Sequence, residues 1–347
     1  MTDAAPGTTR QIILKTRPDG WVVPENFEMR EISLPALGAG DVLVRTIYIS
    51  LDPYMRGRMD AAKTYAANFE VGAPLQARAV GEVAASENPD FPVGGLVFGL
   101  LDWADYTAVA DAAGLRSVDP DLAPLPHHLG VLGMPSMTAW VGLREIGQPK
   151  PGETLVVSAA SGAVGQVAAQ LGRIIGCRVV GTAGTDAKVD YLLDELQLDA
   201  AFNHHSEQDF LAALQRSCPD GIDVYFDNVG GAMLEAALDA ANPFARFVQC
   251  GSISQYNLVG DERYGVRNLT HITRKRIHMQ GFIVSDHSAR MGEFLSEVAG
   301  WLASGEMTYR IDVTDGLENA PAAFIGMLKG DNFGKQVVRI GADPTEG

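Results

Sequence analysis

The chain changes its hydrophobic period once. Before residue 125, apolar and polar residues alternate in short runs: "RQIILKTRP", "FEMREISLP", "DVLVRTIYIS", "QARAVGEVAAS" and "LVFGLLDWADYTAV". Gly, Pro, Asn and Asp separate them, as turns require, and helical spacing is nearly absent. This predicts a compact, barrel-like all-β domain. From about residue 126 the spacing becomes helical in "GVLGMPSMTAWVGLREIG", and strand then alternates with helix. The strands are "TLVVSAA", "CRVVGTA", "AAFNH", "IDVYFDNV", "ARFVQCGSI" and "IHMQGFIV". Between them, "DAKVDYLLDELQ" sets Val189, Leu192, Leu193 and Leu196 on one face, and "EQDFLAALQRS" and "AMLEAALDAA" behave likewise. The pattern predicts an α/β fold with a doubly wound parallel sheet. After "ARMGEFLSEVAGWLASG", a strand, a short helix and the strand "KQVVRI" follow, and this last strand is expected to return to the first domain. The boundaries are then residues 1–126, 127–309 and 310–347, and the cleft between the domains is the default ligand site.

Length suits this division: 347 residues are long for one core. A net charge of −16 makes nucleic acid and anionic membranes poor partners. The N-terminus is polar, and the most apolar early stretch, "FPVGGLVFGLL", is shorter than the roughly 20 residues of a membrane span. Cys177, Cys218 and Cys250 form no disulfide framework, which suits a reducing, cytoplasmic setting.

The first turn of the α/β region carries the chemistry. Ala160-Ser161-Gly162-Ala163-Val164-Gly165 is a GxGxxG turn with alanine in the first place. Gly162 permits close approach of a phosphate, Gly165 permits close helix–sheet packing, and the following helix aims its N-terminus at a pyrophosphate. An NAD site places an acid at the end of the second strand. Here Gly181–Thr185 holds none; Asp186 comes late and is expected to cap the next helix. Lys188 stands in the first helical turn, within reach of a 2′-phosphate, so the reading is NADP(H). Spacing alone also allows Lys188 to be a solvated helix lysine.

A catalytic zinc needs a Cys/His/acid set and a structural zinc about four cysteines. Residues 1–126 contain neither Cys nor His, and His127-His128 and His204-His205 are adjacent pairs. No metal is expected, which disfavours plain alcohol oxidation.

"AASGAVGQVAAQLGRIIGCRVVGTAG", "FDNVGG", "CGSISQYN", "LDPYMRGRM" and "LENAPAAFIGMLKGDNFGK" resemble the zinc-independent medium-chain dehydrogenase/reductases. More narrowly they resemble the group of leukotriene B4 12-hydroxydehydrogenase, prostaglandin reductase, NADP-dependent alkenal double-bond reductase and curcumin reductase. The resemblance covers nearly the whole chain. It implies a Rossmann NADP-binding domain beside a GroES-like catalytic domain, and a homodimer. It implies that Gly162, Ala163, Val164 and Gly165 hold the pyrophosphate and Lys188 the 2′-phosphate. His204 stands where the family has a tyrosine on that phosphate. Asn228, the run Cys250, Gly251, Ser252, Ile253, Ser254 and Tyr256, and Phe282, Ile283, Val284 and Asn332 would line the cofactor. Ser136 and Trp140 depart from the family pattern near Met134, a residue placed with Tyr54 at the substrate.

The implied reaction reduces a C=C bond conjugated to a carbonyl. Hydride goes to the β-carbon, the enolate oxygen needs a hydrogen-bond donor, and the α-carbon takes a proton. Tyr256 is the candidate donor, directly or through the nicotinamide ribose; a tyrosine that only packs on the cofactor would read the same. Tyr54 suits a substrate entrance and a β-domain core equally. Arg56 and Arg58 read as salt bridges of the fold. An NADPH quinone oxidoreductase would share fold and cofactor, and a non-enzymatic NADPH-binding protein is the second alternative.

Overall fold

The computed structural model describes residues 6–346. Residues up to Leu129, together with those from Ile311 onward, form one compact unit, and Gly130–Arg310 form another.

The first unit is built on strands. β1 (Thr8–Leu14) and β2 (Phe27–Ser33) make an antiparallel pair. β3 (Val42–Ser50), β4 (Gln76–Ser86), β5 (Leu96–Asp102), β6 (Tyr106–Val109) and β7 (Arg116–Ser117) join β14 (Ile311–Asp315) and β15 (Lys335–Arg339) in a mixed seven-stranded sheet. Its order is β14-β15-β3-β4-β5-β7, with β6 also on β3. "KQVVRI" does return to this unit: β15 pairs antiparallel with β3. Helices α1 (Met55–Arg58) and α9 (Ala320–Lys329) complete it, and Trp103 meets Phe324 edge to face in the core. Lys335, 1% exposed, ties β15 to the end of β3: its Nζ donates to the Leu51 carbonyl at 2.7 Å and to Asp52 Oδ1 at 2.8 Å. Ser50 donates to the other oxygen of Asp52, so this buried pair is hydrogen-bonded on both sides, as a buried charge must be.

In the second unit, β8 (Thr154–Val157), β9 (Arg178–Ala183), β10 (Ala200–Asn203), β11 (Ile222–Asp227), β12 (Ala241–Gln249) and β13 (His278–Gly281) form a parallel sheet. The order β10-β9-β8-β11-β12-β13 reverses direction between β8 and β11, the place where such sheets bind ligands. β8 is buried on both faces, so its run is continuously apolar rather than alternating. The helices are α2 (Met134–Val141), α3 (Gly165–Ile175), α4 (Asp186–Asp190), α5 (Phe210–Ser217), α6 (Gly231–Ala240), α7 (Thr270–Lys275) and α8 (Met291–Ser304). Two helices are shorter than their periodicity predicts. α2 gives way to a π-helical turn over Gly142–Gly147, and α4 to another over Tyr191–Glu195. Leu192 and Leu196 are buried as expected, while Val189 and Leu193 are half-buried. No helix among the described residues is long and apolar enough to cross a membrane.

Candidate active site

The turn from β8 to α3 follows from its two glycines. A Cβ on Gly165 would lie 2.7 Å from the Ala160 Cα and press on the Ala159 carbonyl, so only glycine lets the helix start this close to the strand. A Cβ on Gly162 would meet only the Ala159 carbonyl, at 3.2 Å. Gly162 is therefore the less crowded of the two, which suits a position kept small for a ligand. Val164 and Gly165 open α3, where N–H groups have no intrahelical acceptor and favour an anion.

At the end of β9, the helix cap differs from the expectation. Thr185, not Asp186, is the N-cap of α4: its hydroxyl accepts from the Lys188 amide at 3.3 Å. Threonine has the β-region backbone a cap needs, while Asp186 already lies inside the first turn and accepts from Asn203 Nδ2 at 2.8 Å. The carboxylate nearest the strand end is thus drawn toward Asn203 through one of its oxygens. Lys188 is 7% exposed. The His204 and His205 rings pack with centroids 4.3 Å apart, and both reach the space above Gly184, where a Cβ would touch His204 Cε1 at 3.4 Å. Burial, then His205 and Lys188, hold His204 below the usual imidazole range, against its bond to the Ala183 backbone. The arrangement fits a 2′-phosphate better than a bare ribose.

The ends of β8, β11 and β12 are knitted together by the expected residues together with Ser158, Tyr225 and Asp227, which the sequence does not single out. Asp227, fully buried, accepts on Oδ1 from Ser158 Oγ, Tyr225 Oη and the amides of Val229 and Gly230 at 2.9–3.2 Å. Its backbone carbonyl accepts from the amides of Cys250 and Gly251. Asn228 donates from its amide to Ser158 Oγ at 2.8 Å and from Nδ2 to the Ser158 carbonyl at 2.7 Å. Ile253 and Ser254 donate from their amides to the carbonyls of Asn228 and Val229. These bonds place Tyr256, whose hydroxyl accepts the Ser252 N–H at 3.2 Å. Burial holds this phenol above its usual pKa, so it stays neutral and able to donate.

The structure thus gathers Asn228, Cys250–Ser254 and Tyr256 at one set of strand ends. Phe282, Ile283 and Val284 follow β13 and are half-buried; a Cβ on Gly142 would meet Phe282 Cζ at 3.1 Å. Met134 is the first residue of α2 and half-buried. The neighbouring departures are packing residues: Ser136 donates to the Gly130 carbonyl at 3.1 Å, and buried Trp140 donates to Glu297 at 2.8 Å. Tyr54 and Asn332 belong to the other unit. Tyr54 is half-buried against that unit's core, and burial raises its pKa. Asn332 donates to the Gly334 carbonyl at 2.8 Å. Arg56 pairs with Asp60 as expected, but Arg58 makes no ion pair among the described residues: it donates to the Ala67 carbonyl and lies 4.0 Å above the Phe69 ring. Among the described residues, no group of three or more His, Cys, Asp or Glu is placed to hold a metal ion.

Comparison with known proteins gives the family. Residues 10–118 match the family described as the N-terminal domain of oxidoreductase, and residues 163–300 match that described as zinc-binding dehydrogenase. The chain is 43% identical to the NADPH-dependent curcumin reductase of Escherichia coli, over 96% of this chain and 97% of that one. It is 42% identical to the NADP-dependent 2-alkenal reductase of Nicotiana tabacum, over 96% and 98%. The crystal structure of CurA from Vibrio vulnificus in complex with NADPH superposes with a TM-score of 0.91 at 43% identity, covering 96% of this chain and all of that one. The chain belongs to the zinc-independent medium-chain dehydrogenase/reductases, in the group of the NADP-dependent curcumin, alkenal and prostaglandin reductases.

Proposed function

We propose that this chain reduces the C=C bond of α,β-unsaturated aldehydes and ketones with NADPH. The observation that carries the reading is the Tyr256 hydroxyl. It accepts the Ser252 N–H at 3.2 Å, and burial favours its neutral form. A neutral phenol can donate its proton in a hydrogen bond, which is what an enolate oxygen requires. The curcumin, alkenal and (+)-pulegone reductases among the relatives support the same reading.

NADPH, when bound, supplies the hydride for the β-carbon. The chain's own residues hold and orient. The amides of the Gly162–Gly165 turn would hold the pyrophosphate, and Lys188 and His204 would hold the 2′-phosphate. Asn228, Cys250–Ser254 and Phe282–Val284 support the nicotinamide half. Tyr256 donates a hydrogen bond to the carbonyl oxygen as negative charge gathers there, and solvent water then supplies the proton to the α-carbon. Asn332 as a nicotinamide residue, and Tyr54 and Met134 as substrate residues, belong to the same proposal. So do a homodimer, through the exposed edge strand β13, and a cytoplasmic setting, which unpaired cysteines suit.

The test follows NADPH absorbance with a 2-alkenal, an aryl enone, a quinone and a saturated aldehyde, and identifies products by mass spectrometry. The enal and enone should give saturated carbonyls. Tyr256→Phe should lower kcat about 10- to 100-fold while NADPH affinity stays within about twofold. Turnover of the quinone alone would overturn the reading.

A further inference from the structure

We propose that Tyr309 is a positioning residue for the cofactor's pyrophosphate, acting through the peptide that joins Ala163 and Val164. The proposal rests on the NADPH reading above. It starts from two amide side chains buried in α3. Gln166 and Gln170 are 0% and 2% exposed. Gln170 Nε2 donates to the Thr308 carbonyl at 2.9 Å, and its Oε1 accepts the Thr308 N–H at 2.8 Å. One turn earlier, Gln166 treats Arg310 in the same way, donating at 3.1 Å and accepting at 2.8 Å. Its Oε1 also accepts the Tyr191 hydroxyl at 2.9 Å. Four residues on a helix span about 6 Å and two residues of extended chain about 6.6 Å, so the two repeats match. Each glutamine stands in for a residue of a neighbouring strand.

Apolar side chains could fill the same space without the demand of satisfying a buried amide. What the amides add is register: they allow residues 308–310 one position along α3. Tyr309 lies between the two clamped residues. Its ring occupies the notch at Gly130, where a Cβ would lie 2.9 Å from Tyr309 Cζ. Its hydroxyl donates to the Ala163 carbonyl at 3.2 Å. The peptide is planar and trans, so holding that carbonyl on one side directs the Val164 N–H to the other. Val164 N–H belongs to the N-terminal group that faces a bound anion. A flipped peptide would instead turn an oxygen toward the pyrophosphate.

The experiment compares the full chain with Tyr309→Phe, which deletes one hydroxyl. Three ligands are titrated: NADPH, NADH and adenosine 2′-monophosphate, which has no pyrophosphate. The Kd values for NADPH and NADH should rise by the same factor, about three- to tenfold, the worth of one hydrogen bond. Adenosine 2′-monophosphate should bind both proteins equally, and kcat at saturating NADPH should stay within about twofold. Equal affinities for NADPH in the two proteins would overturn the proposal. So would parallel weakening of all three ligands, the mark of a general loosening. A wild-type chain that binds no NADPH would instead overturn the cofactor reading on which it rests. Gln166→Leu should show the same signature as Tyr309→Phe; if that chain fails to fold, the single-hydroxyl comparison decides.

Discussion

An imidazole at position 204 makes cofactor choice depend on charge. His204 packs on His205 above Gly184, with Lys188 on α4 as the other cation and Asp186 already bonded to Asn203. Burial first, then the neighbouring His205 and Lys188, favour the neutral form of His204. Protonation on acidification adds a positive charge that a 2′-phosphate uses and a 2′-hydroxyl does not. The ratio of KM for NADH to KM for NADPH should therefore rise as pH falls below the usual imidazole range, by up to about fivefold, the scale of one ion pair near the surface. The phosphate itself takes up a proton near pH 6 and opposes the trend. His204→Gln retains that opposing effect and loses the imidazole, so the difference between the two pH profiles isolates residue 204. Identical profiles would remove His204 from the phosphate. The stability of the unliganded protein moves the opposite way, falling on acidification. A histidine with a depressed folded pKa contributes fully above its unfolded value near 6.5. That contribution is lost as pH falls from there through the folded value.

At the scale of one element, the strand–turn–helix unit separates fold from function within four residues. Gly165→Ala forces a methyl against the Ala159 carbonyl and the Ala160 Cα, which are backbone and cannot swing away. It should lower stability by about 1–3 kcal/mol, the cost of overpacking. Gly162→Ala meets one oxygen at 3.2 Å and should leave the melting temperature nearly unchanged. Its methyl still occupies the phosphate's approach, so NADPH Kd should rise about tenfold or more. Melting curves and NADPH titrations on both variants check the pair; equal melting temperatures would show that the β8–α3 contact yields. This unit is legible in the sequence because strand period, glycine spacing and helix period are local. β11 is legible for the same reason, as a run of apolar and β-branched residues, whereas β12 (Ala241–Gln249) starts four residues before the expected "ARFVQCGSI" and stops at Gln249, because its first residues include Asn242 and Pro243. Asp227, Gln166 and Tyr309 are not, because their roles depend on partners far along the chain. Ser158 lies 69 residues from Asp227, and Arg310 lies 144 from Gln166. The two π-helical turns escape as well, since leucines at helical spacing look the same whether one residue bulges or not. The Thr185 cap is offset by one residue from the expected Asp186, and both residue types cap helices well.

For the whole molecule, the proposed substrates pose a hazard that its composition answers. Enals and enones are Michael acceptors that alkylate thiolates, and the chain carries three cysteines in the same unit as the dinucleotide turn. None is paired; Cys177 and Cys218 are buried and Cys250 half-buried. Burial pushes their thiols up to about 11, 12 and 12 respectively. Asp227 adds to the effect at Cys250, and a net charge of −16 disfavours any further anion. At pH 7.5 the thiolate fraction is then below about one in a thousand, and the thiolate is the nucleophile. The native protein held for an hour with millimolar 2-alkenal and no NADPH should keep its activity and show no cysteine adduct by mass spectrometry. Unfolded in denaturant, the same chain should gain adducts at all three positions, because the protection belongs to the fold and not to the residues. A fast adduct at Cys250 that NADPH prevents would give the opposite answer: the loop beside Tyr256 would then be activating that thiol, and the enzyme would need its cofactor bound to survive its own substrate.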